Sequence, residues 1–168
     1  MAVVEQIIAS DGGRNHVIRL NVKFRNVTNQ PIILAYHSGS SVAVDNYGSR
    51  YFWGRAGTHD TSATGIGLLA GRTADPQFTL NPGETRTATW QLFRPRPPTS
   101  PIGSGYTWDV TIDQLEVLPG VIRSIREYAL NFPDLAARAG AMAAPQGAAG
   151  KGSGNIVQDI MKSIPKKK

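Results

Sequence analysis

Three histidines, His16, His37 and His59, are the residues best suited to acid–base or metal chemistry in this chain of 168 residues, which contains no cysteine. Zinc sites combine His with Cys or carboxylate ligands at short, regular spacings, and a His-carboxylate pair such as His59-Asp60 can exchange protons. Here the histidines are scattered, and none is paired with another histidine. We therefore interpret them as strand-end and loop residues, and predict no metal site and no cofactor.

Oxygen ligands offer a second kind of chemistry. Asp45, Asn46, Asp109 and Asp113 could bind Ca²⁺ if loops brought them together at one end of the fold. The Asp45-Asn46 pair is more typical of a turn in which the side chain accepts backbone hydrogen bonds. Asp109 and Asp113 occupy the polar positions of an alternating pattern, which indicates a solvent-facing strand surface. The sequence therefore favours turn and surface roles over a calcium site.

A glycine-rich segment, GIGLLAG at residues 65–71, superficially resembles a phosphate-binding loop. Such a loop works between the strand and the helix of a βαβ unit, which the flanking sequence does not predict. The simpler interpretation is a flexible loop that packs Ile66, Leu68 and Leu69 against the domain. Ser104, between two glycines, lacks the flanking pattern of a serine nucleophile. We predict that the protein is not an enzyme.

The connection at residues 54–76 is long enough to carry a function. Long loops on compact domains commonly bind ligands, so we predict a polar and aromatic recognition surface here. Its candidate residues are Tyr51, Trp53, Arg55, His59, Asp60 and Arg72. The alternative is that Tyr51 and Trp53 belong to the core.

The formal net charge of +6 is unevenly distributed: residues 1–135 carry +1 and residues 136–168 carry +5. Arg19, Lys23 and Arg25 form a basic stripe on one predicted strand. A nucleic-acid surface would extend such a stripe and interleave it with exposed aromatic residues. In a nearly neutral domain, cross-strand ion pairing is the simpler role, and nucleic-acid binding is not expected of this part.

Period-two alternation predicts strands along most of the chain. The clearest lies at residues 16–25, and the others at 3–10, 32–36, 42–45, 50–53, 77–80, 84–93 and 106–118. The predicted core is Ile18, Leu20, Val22, Phe24, Ile33, Trp90, Leu92, Trp108, Val110, Ile112 and Leu130. Residues 121–132 fit either a helical stripe or a strand. We favour a strand, because Pro119-Gly120 joins them to a strand of matching length.

Short strands separated by Gly, Pro and Asn turns predict an all-β fold, an antiparallel β-sandwich of about seven to nine strands with a flexible C-terminal tail. Residues 45–51 (DNYGSRY) and 80–84 (LNPGE) form two turn motifs. With the strand ending in Phe24-Arg25-Asn26, they resemble the D-x-x-G-x-x-Y and L-x-P-G-E turns of immunoglobulin-like accessory domains in bacterial envelope and secreted proteins. The resemblance covers residues 5–132. It implies a binding or scaffolding module and carries over no catalytic residue.

Beyond this domain, residues 1–135, the composition changes twice. Residues 136–155 contain 13 Ala or Gly in 20 positions, which is typical of a flexible linker. Residues 156–168 form a short basic, amphipathic peptide expected to contact a partner groove, an acidic protein surface or an anionic membrane. The docking candidates are Ile156, Ile160, Met161, Ile164, Lys166, Lys167 and Lys168. The alternative is a solubilising end with no docking role.

These observations predict a non-enzymatic module that binds a protein partner through sandwich loops and the basic tail. One alternative is a carbohydrate-binding module that uses Tyr51 and Trp53, or Tyr106 and Trp108, as stacking platforms. A hydrolase with its site at residues 54–76 has the least support. The sequence shows no secretory leader and no apolar run of about 18 residues for a membrane span. It therefore predicts a periplasmic or secreted protein if a leader has been removed, and a cytoplasmic one otherwise.

Overall fold

Twelve β-strands and no helix make up the part of the chain that the computed structural model describes, residues 1–11, 15–52, 63–95 and 101–139. The strands are β1 Ala2–Asp11, β2 Asn15–Arg25, β3 Ile32–His37, β4 Val42–Asp45, β5 Arg50–Phe52, β6 Gly67–Ala70, β7 Thr73–Ala74, β8 Thr79–Leu80, β9 Thr85–Pro95, β10 Gly105–Leu118, β11 Val121–Ala136 and β12 Arg138–Ala139. The predicted all-β fold is confirmed. Within these residues, nothing forms a helix with the length and hydropathy needed to cross a bilayer.

Local alternation explains the longest strands. In β2, Ile18, Leu20 and Val22 are fully buried, whereas Arg19 and Lys23 are exposed. Successive side chains of a strand point to opposite faces. The apolar face of β2 therefore packs against the core, and its basic face is exposed to solvent. The predicted strands all occur, with ends that move by a few residues. The strand predicted at residues 77–80 shortens to Thr79–Leu80.

The strands form one sheet that is not closed and that folds over into two facing layers. The first layer has the order β12-β1-β2-β9, the second has β11-β10-β3-β6-β7, and the hairpin β4–β5 joins β9 to β10. The core lies between the layers. There the Trp90 ring of β9 lies 5.3 Å from that of Trp108 in β10 and 6.0 Å from that of Tyr36 in β3. Of the predicted core residues, only Ile33 and Leu130 are half-buried rather than buried.

The ambiguous segment after Pro119-Gly120 is a strand. It forms β11, which pairs with β10 from Leu118↔Val121 to Gly105↔Ala136, and the Phe132 ring stacks on that of Trp108 at 5.2 Å. The prediction of a strand is confirmed, and the helical alternative is wrong. Tyr128, Leu130 and Phe132, at every second position of β11, pack against the core, and a helix would not place them on one face. The strands also continue to Ala139, since β12 pairs with Ile8 and Ala9 of β1.

The glycine-rich segment is not a flexible loop. It enters β6, which pairs in parallel with β3, and it continues into β7, so two strands lie within the connection expected at residues 54–76. A Cβ atom on Gly65, at φ +75°, would lie 3.0 Å from the Thr87 carbonyl oxygen, and a Cβ on Gly67 would overlap the carbonyl oxygen of Asp75. The glycines therefore permit close backbone packing. Of the three residues predicted to pack against the domain, Ile66 and Leu68 contact the core, whereas Leu69 is not part of this cluster.

Candidate functional site

The structure describes two of the six residues of the predicted loop surface, Tyr51 and Arg72. Tyr51 is fully buried and therefore cannot serve as a surface contact, so its assignment to an exposed site is corrected. Arg72 is exposed in the turn between β6 and β7. The other candidates, Trp53, Arg55, His59 and Asp60, lie outside the described residues. So do the tail candidates Ile156, Ile160, Met161, Ile164, Lys166, Lys167 and Lys168.

Tyr51 belongs to a buried polar cluster that also explains the first turn motif. The Asp45 carboxylate accepts hydrogen bonds from the backbone N–H groups of Tyr47 (3.0 Å) and Ser49 (2.8 Å), and from the Tyr51 hydroxyl (3.3 Å). Gly48, at φ +77°, completes the turn. The Asp, the Gly and the Tyr of D-x-x-G-x-x-Y are thus parts of one folded turn, and the motif is structural.

Burial changes the acidity of the tyrosines in this cluster. The rings of Tyr51 and Tyr106 meet edge to face at 5.6 Å, and the Tyr106 hydroxyl donates a hydrogen bond of 2.8 Å to the carbonyl of Gly103. Desolvation raises the pKa of both hydroxyls, and at Tyr106 the nearby Tyr51 raises the pKa further. Both tyrosines are therefore held neutral and are unsuited to acid–base chemistry near pH 7.

The second turn motif is tied to the end of β2 by Asn26, which is fully buried. The Asn26 side-chain amide donates to the carbonyls of Leu80 (2.9 Å) and Gln30 (2.7 Å). In the turn itself, the Glu84 carboxylate accepts from the backbone N–H of Asn81 at 2.8 Å. The motif L-x-P-G-E therefore stabilises the junction between two turns.

Most of the aromatic platforms proposed for carbohydrate binding are buried. Tyr51, Tyr106 and Trp108 are at most 2% exposed. Their rings contact other core rings, so stacking on a sugar would require the sandwich to open. Only Trp53, outside the described residues, is left of that proposal.

The four residues considered as calcium ligands, Asp45, Asn46, Asp109 and Asp113, do not converge. The carboxylate of Asp45 is occupied by the turn described above, and that of Asp109 accepts from Asn131 at 2.6 Å. Asp113 stands four residues further along β10, about 13 Å away at the rise of a strand. Asp109 is exposed as predicted, but Asp113 is only 2% exposed. The prediction for Asp113 was wrong because side chains from the neighbouring strands cover it.

The basic stripe on β2 is partly neutralised within its own layer. Lys23 forms an ion pair with Glu5 of β1, the cross-strand neighbour expected for a solvated sheet surface. Arg19 and Arg25 are exposed beside it. The outward-facing residues of β2, from Val17 to Arg25, include no aromatic side chain that could stack on a nucleic-acid base.

One end of the sandwich exposes large apolar side chains. The pairing of β10 with β3 ends at Leu115↔Ile33, but β10 and β11 continue as a two-stranded hairpin through Leu118↔Val121. We call Val117, Leu118 and Val121 of this hairpin, with Met1 and Val27 on the facing layer, the apolar end. These five side chains are between 40% and 68% exposed. Leu118 and Val121 are directly paired and share one face of the hairpin, so they expose adjoining apolar surface. Exposed apolar surface of this kind can mark an interaction site.

A groove of about 330 Å³ opens between the two layers at the same end. It begins where Met1 and Val27 face the strands that continue into the hairpin. Its apolar lining comes from Phe24, Ile32, Leu34, Ile112, Tyr128 and Leu130. The Tyr128 hydroxyl donates to the Gln114 side chain at 2.8 Å, which orients its ring, and the Arg126 guanidinium lies 5.0 Å from the centre of that ring. The groove is thus apolar inside, with cations at its rim.

Sequence reasoning missed this surface, although a local signal was present. Alternation of apolar and polar residues breaks down around Pro119-Gly120, where Val117, Leu118, Val121 and Ile122 are all apolar. A half-buried hairpin needs only one apolar face. Two adjacent apolar positions on each side of the turn therefore imply apolar side chains that the domain itself does not cover.

No protein-family model matches the chain, and neither the curated proteins nor the solved structures include a significant match. The functional assignment therefore rests on the geometry of the described residues.

Proposed function

We propose that this protein is a non-enzymatic binding module whose protein partner docks at the apolar end. The observation that carries the proposal is the presence of an exposed apolar hairpin and an apolar groove on the same pair of strands, β10 and β11. Exposure of Val117, Leu118 and Val121 to water is unfavourable. A partner that covers them stabilises the complex by about 25 cal/mol for each Å² of apolar surface removed from water. This deepens the sequence-based prediction of a binding module and proposes the apolar end, rather than the loop at residues 54–76, as its contact surface.

The shape and charge of the groove define the partner segment. A volume of about 330 Å³ is at the lower end of the range for ligand sites, so it fits a few large apolar side chains rather than a whole cofactor. Arg25 lines the groove, and the Arg126 guanidinium lies over the ring of Tyr128, which also lines it. The partner is therefore an apolar segment flanked by acidic residues, since like charges would be repelled at this rim.

The fold supports a scaffolding role of the immunoglobulin-like kind. The pairings β1-β2-β9 and β11-β10-β3 follow the order of strands A-B-E and G-F-C in immunoglobulin domains. This supports the resemblance to accessory domains of bacterial envelope and secreted proteins. The basic C-terminal peptide would then provide a second contact, on an anionic membrane or an acidic protein surface.

The docking surface can be tested with site-specific photo-crosslinking. A photoreactive residue at Val121 is expected to capture a partner in native extracts, and the captured protein is then purified and its affinity measured. The double variant Leu118→Ser/Val121→Ser is expected to weaken that affinity at least tenfold.

The matched control uses equally exposed aromatic residues at the other end of the sheet. Tyr47 and Phe52 are 61% and 46% exposed, so Tyr47→Ser/Phe52→Ser removes similar apolar surface away from the groove. Equal weakening by both double variants, or full affinity in Leu118→Ser/Val121→Ser, would show that the hairpin is not the docking surface.

A further inference from the structure

Three side chains from three adjacent strands meet on the outer face of the second layer. Asp113 of β10 stands directly opposite Ala35 of β3 and opposite Glu127 of β11. His37 is two residues beyond Ala35, so it points to the same face and reaches Asp113 diagonally. His37 Nδ1 lies 2.9 Å from Asp113 Oδ2, and the ligand atoms of His37, Asp113 and Glu127 all lie within 4.8 Å of one another.

The burial of the three groups is graded. The Asp113 side chain is only 3% exposed, the His37 side chain is 46% exposed, and Glu127 is exposed. A carboxylate that has lost its water must be compensated by a cation or by hydrogen bonds. An ion could reach the cluster from solvent on the side of His37 and Glu127, and would contact the buried carboxylate of Asp113 on its inner side.

Charge balance indicates that a cation belongs there. Asp113 and Glu127 face each other directly across two strands, and like charges in that position are destabilising. Within the part of the chain that the structure describes, no Lys or Arg forms an ion pair with either carboxylate. The neighbouring Arg123 is bound to Glu116 instead, at 2.6 Å. A doubly charged ion between the carboxylates would turn their repulsion into attraction.

The carboxylate is also held in a fixed orientation. Ser124 Oγ donates a hydrogen bond of 2.7 Å to Asp113 Oδ1, the oxygen that does not face His37. Hydrogen bonds of this kind orient metal ligands and are part of the design of most metal sites. Oδ2 is thereby left to share an ion with His37.

We propose that His37, Asp113 and Glu127 form a binding site for a divalent first-row transition metal such as Zn²⁺. One imidazole with two carboxylates is a donor set that suits Zn²⁺ better than Ca²⁺, which prefers six or more oxygens. Water fills the remaining position on the exposed side. The three ligands lie 76 and 14 residues apart in sequence, so no spacing motif reveals them. The site is separate from the apolar end and does not depend on the proposed docking function.

Calorimetric titration of the full chain with Zn²⁺ tests the site. One ion is expected to bind per chain, and His37→Ala or Glu127→Gln is expected to weaken binding by about 10- to 100-fold, with Ser124→Ala at the lower end of that range. Both ligand variants change exposed side chains, so they are expected to keep the fold, which circular dichroism checks. The control is Asp109→Asn, an exposed acid on the same face of β10, which leaves the affinity unchanged.

Histidine side-chain NMR provides a second readout. Addition of Zn²⁺ is expected to shift the imidazole resonances of His37 selectively over those of His16 and His59. Three results would overturn the proposal: no binding at millimolar Zn²⁺, binding that survives in both His37→Ala and Glu127→Gln, or equal weakening by Asp109→Asn. The first of these would leave His37–Asp113 as a simple ion pair.

Discussion

At the scale of single residues, buried polar side chains join elements that the backbone alone would leave apart. Asn26 connects the end of β2 to the turn before β9, and Asp45 closes the turn between β4 and β5. Their partners are mostly backbone groups, which would otherwise be buried without hydrogen bonds. The conspicuous turn motifs of the sequence are accounted for in this way, and neither is needed for a binding site.

Replacing Asn26 with Ala is expected to lower the free energy of unfolding by about 1–3 kcal/mol, because the carbonyls of Leu80 and Gln30 would lose their donor. Urea unfolding measures the change. The control is Asn131→Ala, which removes an exposed hydrogen bond to Asp109 and is expected to change stability by less than about 0.5 kcal/mol. Equal effects would mean that burial does not decide the contribution of Asn26.

Gly67→Ala is expected to destabilise the protein by about 1–3 kcal/mol, because the added methyl group overlaps the Asp75 backbone and forces the strands apart. Gly105 is a suitable control, since a Cβ there meets only the Asn46 side chain at 3.9 Å. Gly105→Ala should leave the urea midpoint nearly unchanged. A Gly67→Ala protein as stable as the unmodified chain would contradict the close packing of β6 against the segment before β8.

Alkaline pH is expected to destabilise the fold through its buried tyrosines. Burial raises the pKa values of Tyr36, Tyr51 and Tyr106 above the ordinary value of 10.0. Above pH 10 the unfolded chain loses these protons and the folded chain keeps them, so stability is retained below pH 10 and falls as the pH rises. The slope is about 1.4 kcal/mol per pH unit for each tyrosine. Urea unfolding between pH 8 and 11 measures it, and Tyr106→Phe should reduce the slope; a pH-independent stability would contradict the burial.

At the scale of elements, the β10–β11 hairpin combines two different environments. Up to Leu115 it is supported by β3 and by the core, and beyond Leu115 its two strands pair only with each other. A two-stranded ribbon alone is at best marginally stable in water. The part that carries Val117, Leu118 and Val121 is therefore the part with the least support from the rest of the fold.

Amide hydrogen exchange should show this difference. We expect the amides of the pairs Val117↔Ile122 and Leu118↔Val121 to exchange at least tenfold faster than those of Val110↔Leu130 and Ile112↔Tyr128, because local opening of the hairpin leaves the core intact. Exchange followed by NMR measures each amide separately. Uniform protection along both strands would contradict this division of the hairpin.

The elements show which features were accessible from the sequence. The strands were predictable because alternation is a local property of a few residues, as in β2 and β10. The burial of Asp113 and Tyr51 was not, because it depends on which strands lie beside them, and that pairing joins residues far apart in the chain. For the same reason, His37, Asp113 and Glu127 did not form a recognisable group until β3, β10 and β11 were placed side by side.

At the scale of the whole molecule, the described strands extend to Ala139, four residues beyond the predicted end of the domain at residue 135. β12 adds Arg138 and Ala139 to the edge of β1, next to Ile8 and Ala9. A chain ending at residue 139 keeps all the described contacts, whereas a chain ending at residue 135 loses this edge. We expect urea unfolding to find the 1–135 chain less stable than the 1–139 chain by about 1–2 kcal/mol. The truncation removes the two pairings of β12, the Gly105↔Ala136 pairing and the hydrogen bond from the Ala137 N–H to the Ser104 carbonyl. Equal stability would show that residues 136–139 contribute nothing.

The asymmetry of charge leads to the last prediction. Residues 140–168 contain five Lys and one Asp, so removing them lowers the net charge of the chain from +6 to +2. Each Lys close to an anionic surface contributes about 1 kcal/mol of attraction, which salt screens over a Debye length of about 10 Å at 0.1 M. The full chain is therefore expected to bind phosphatidylserine vesicles at low salt and to be released as salt is raised, while the 1–139 chain binds at least tenfold more weakly. Co-sedimentation measures both. Equal binding of the two chains would place the membrane contact on the domain, and binding unaffected by salt would exclude an electrostatic role for the tail.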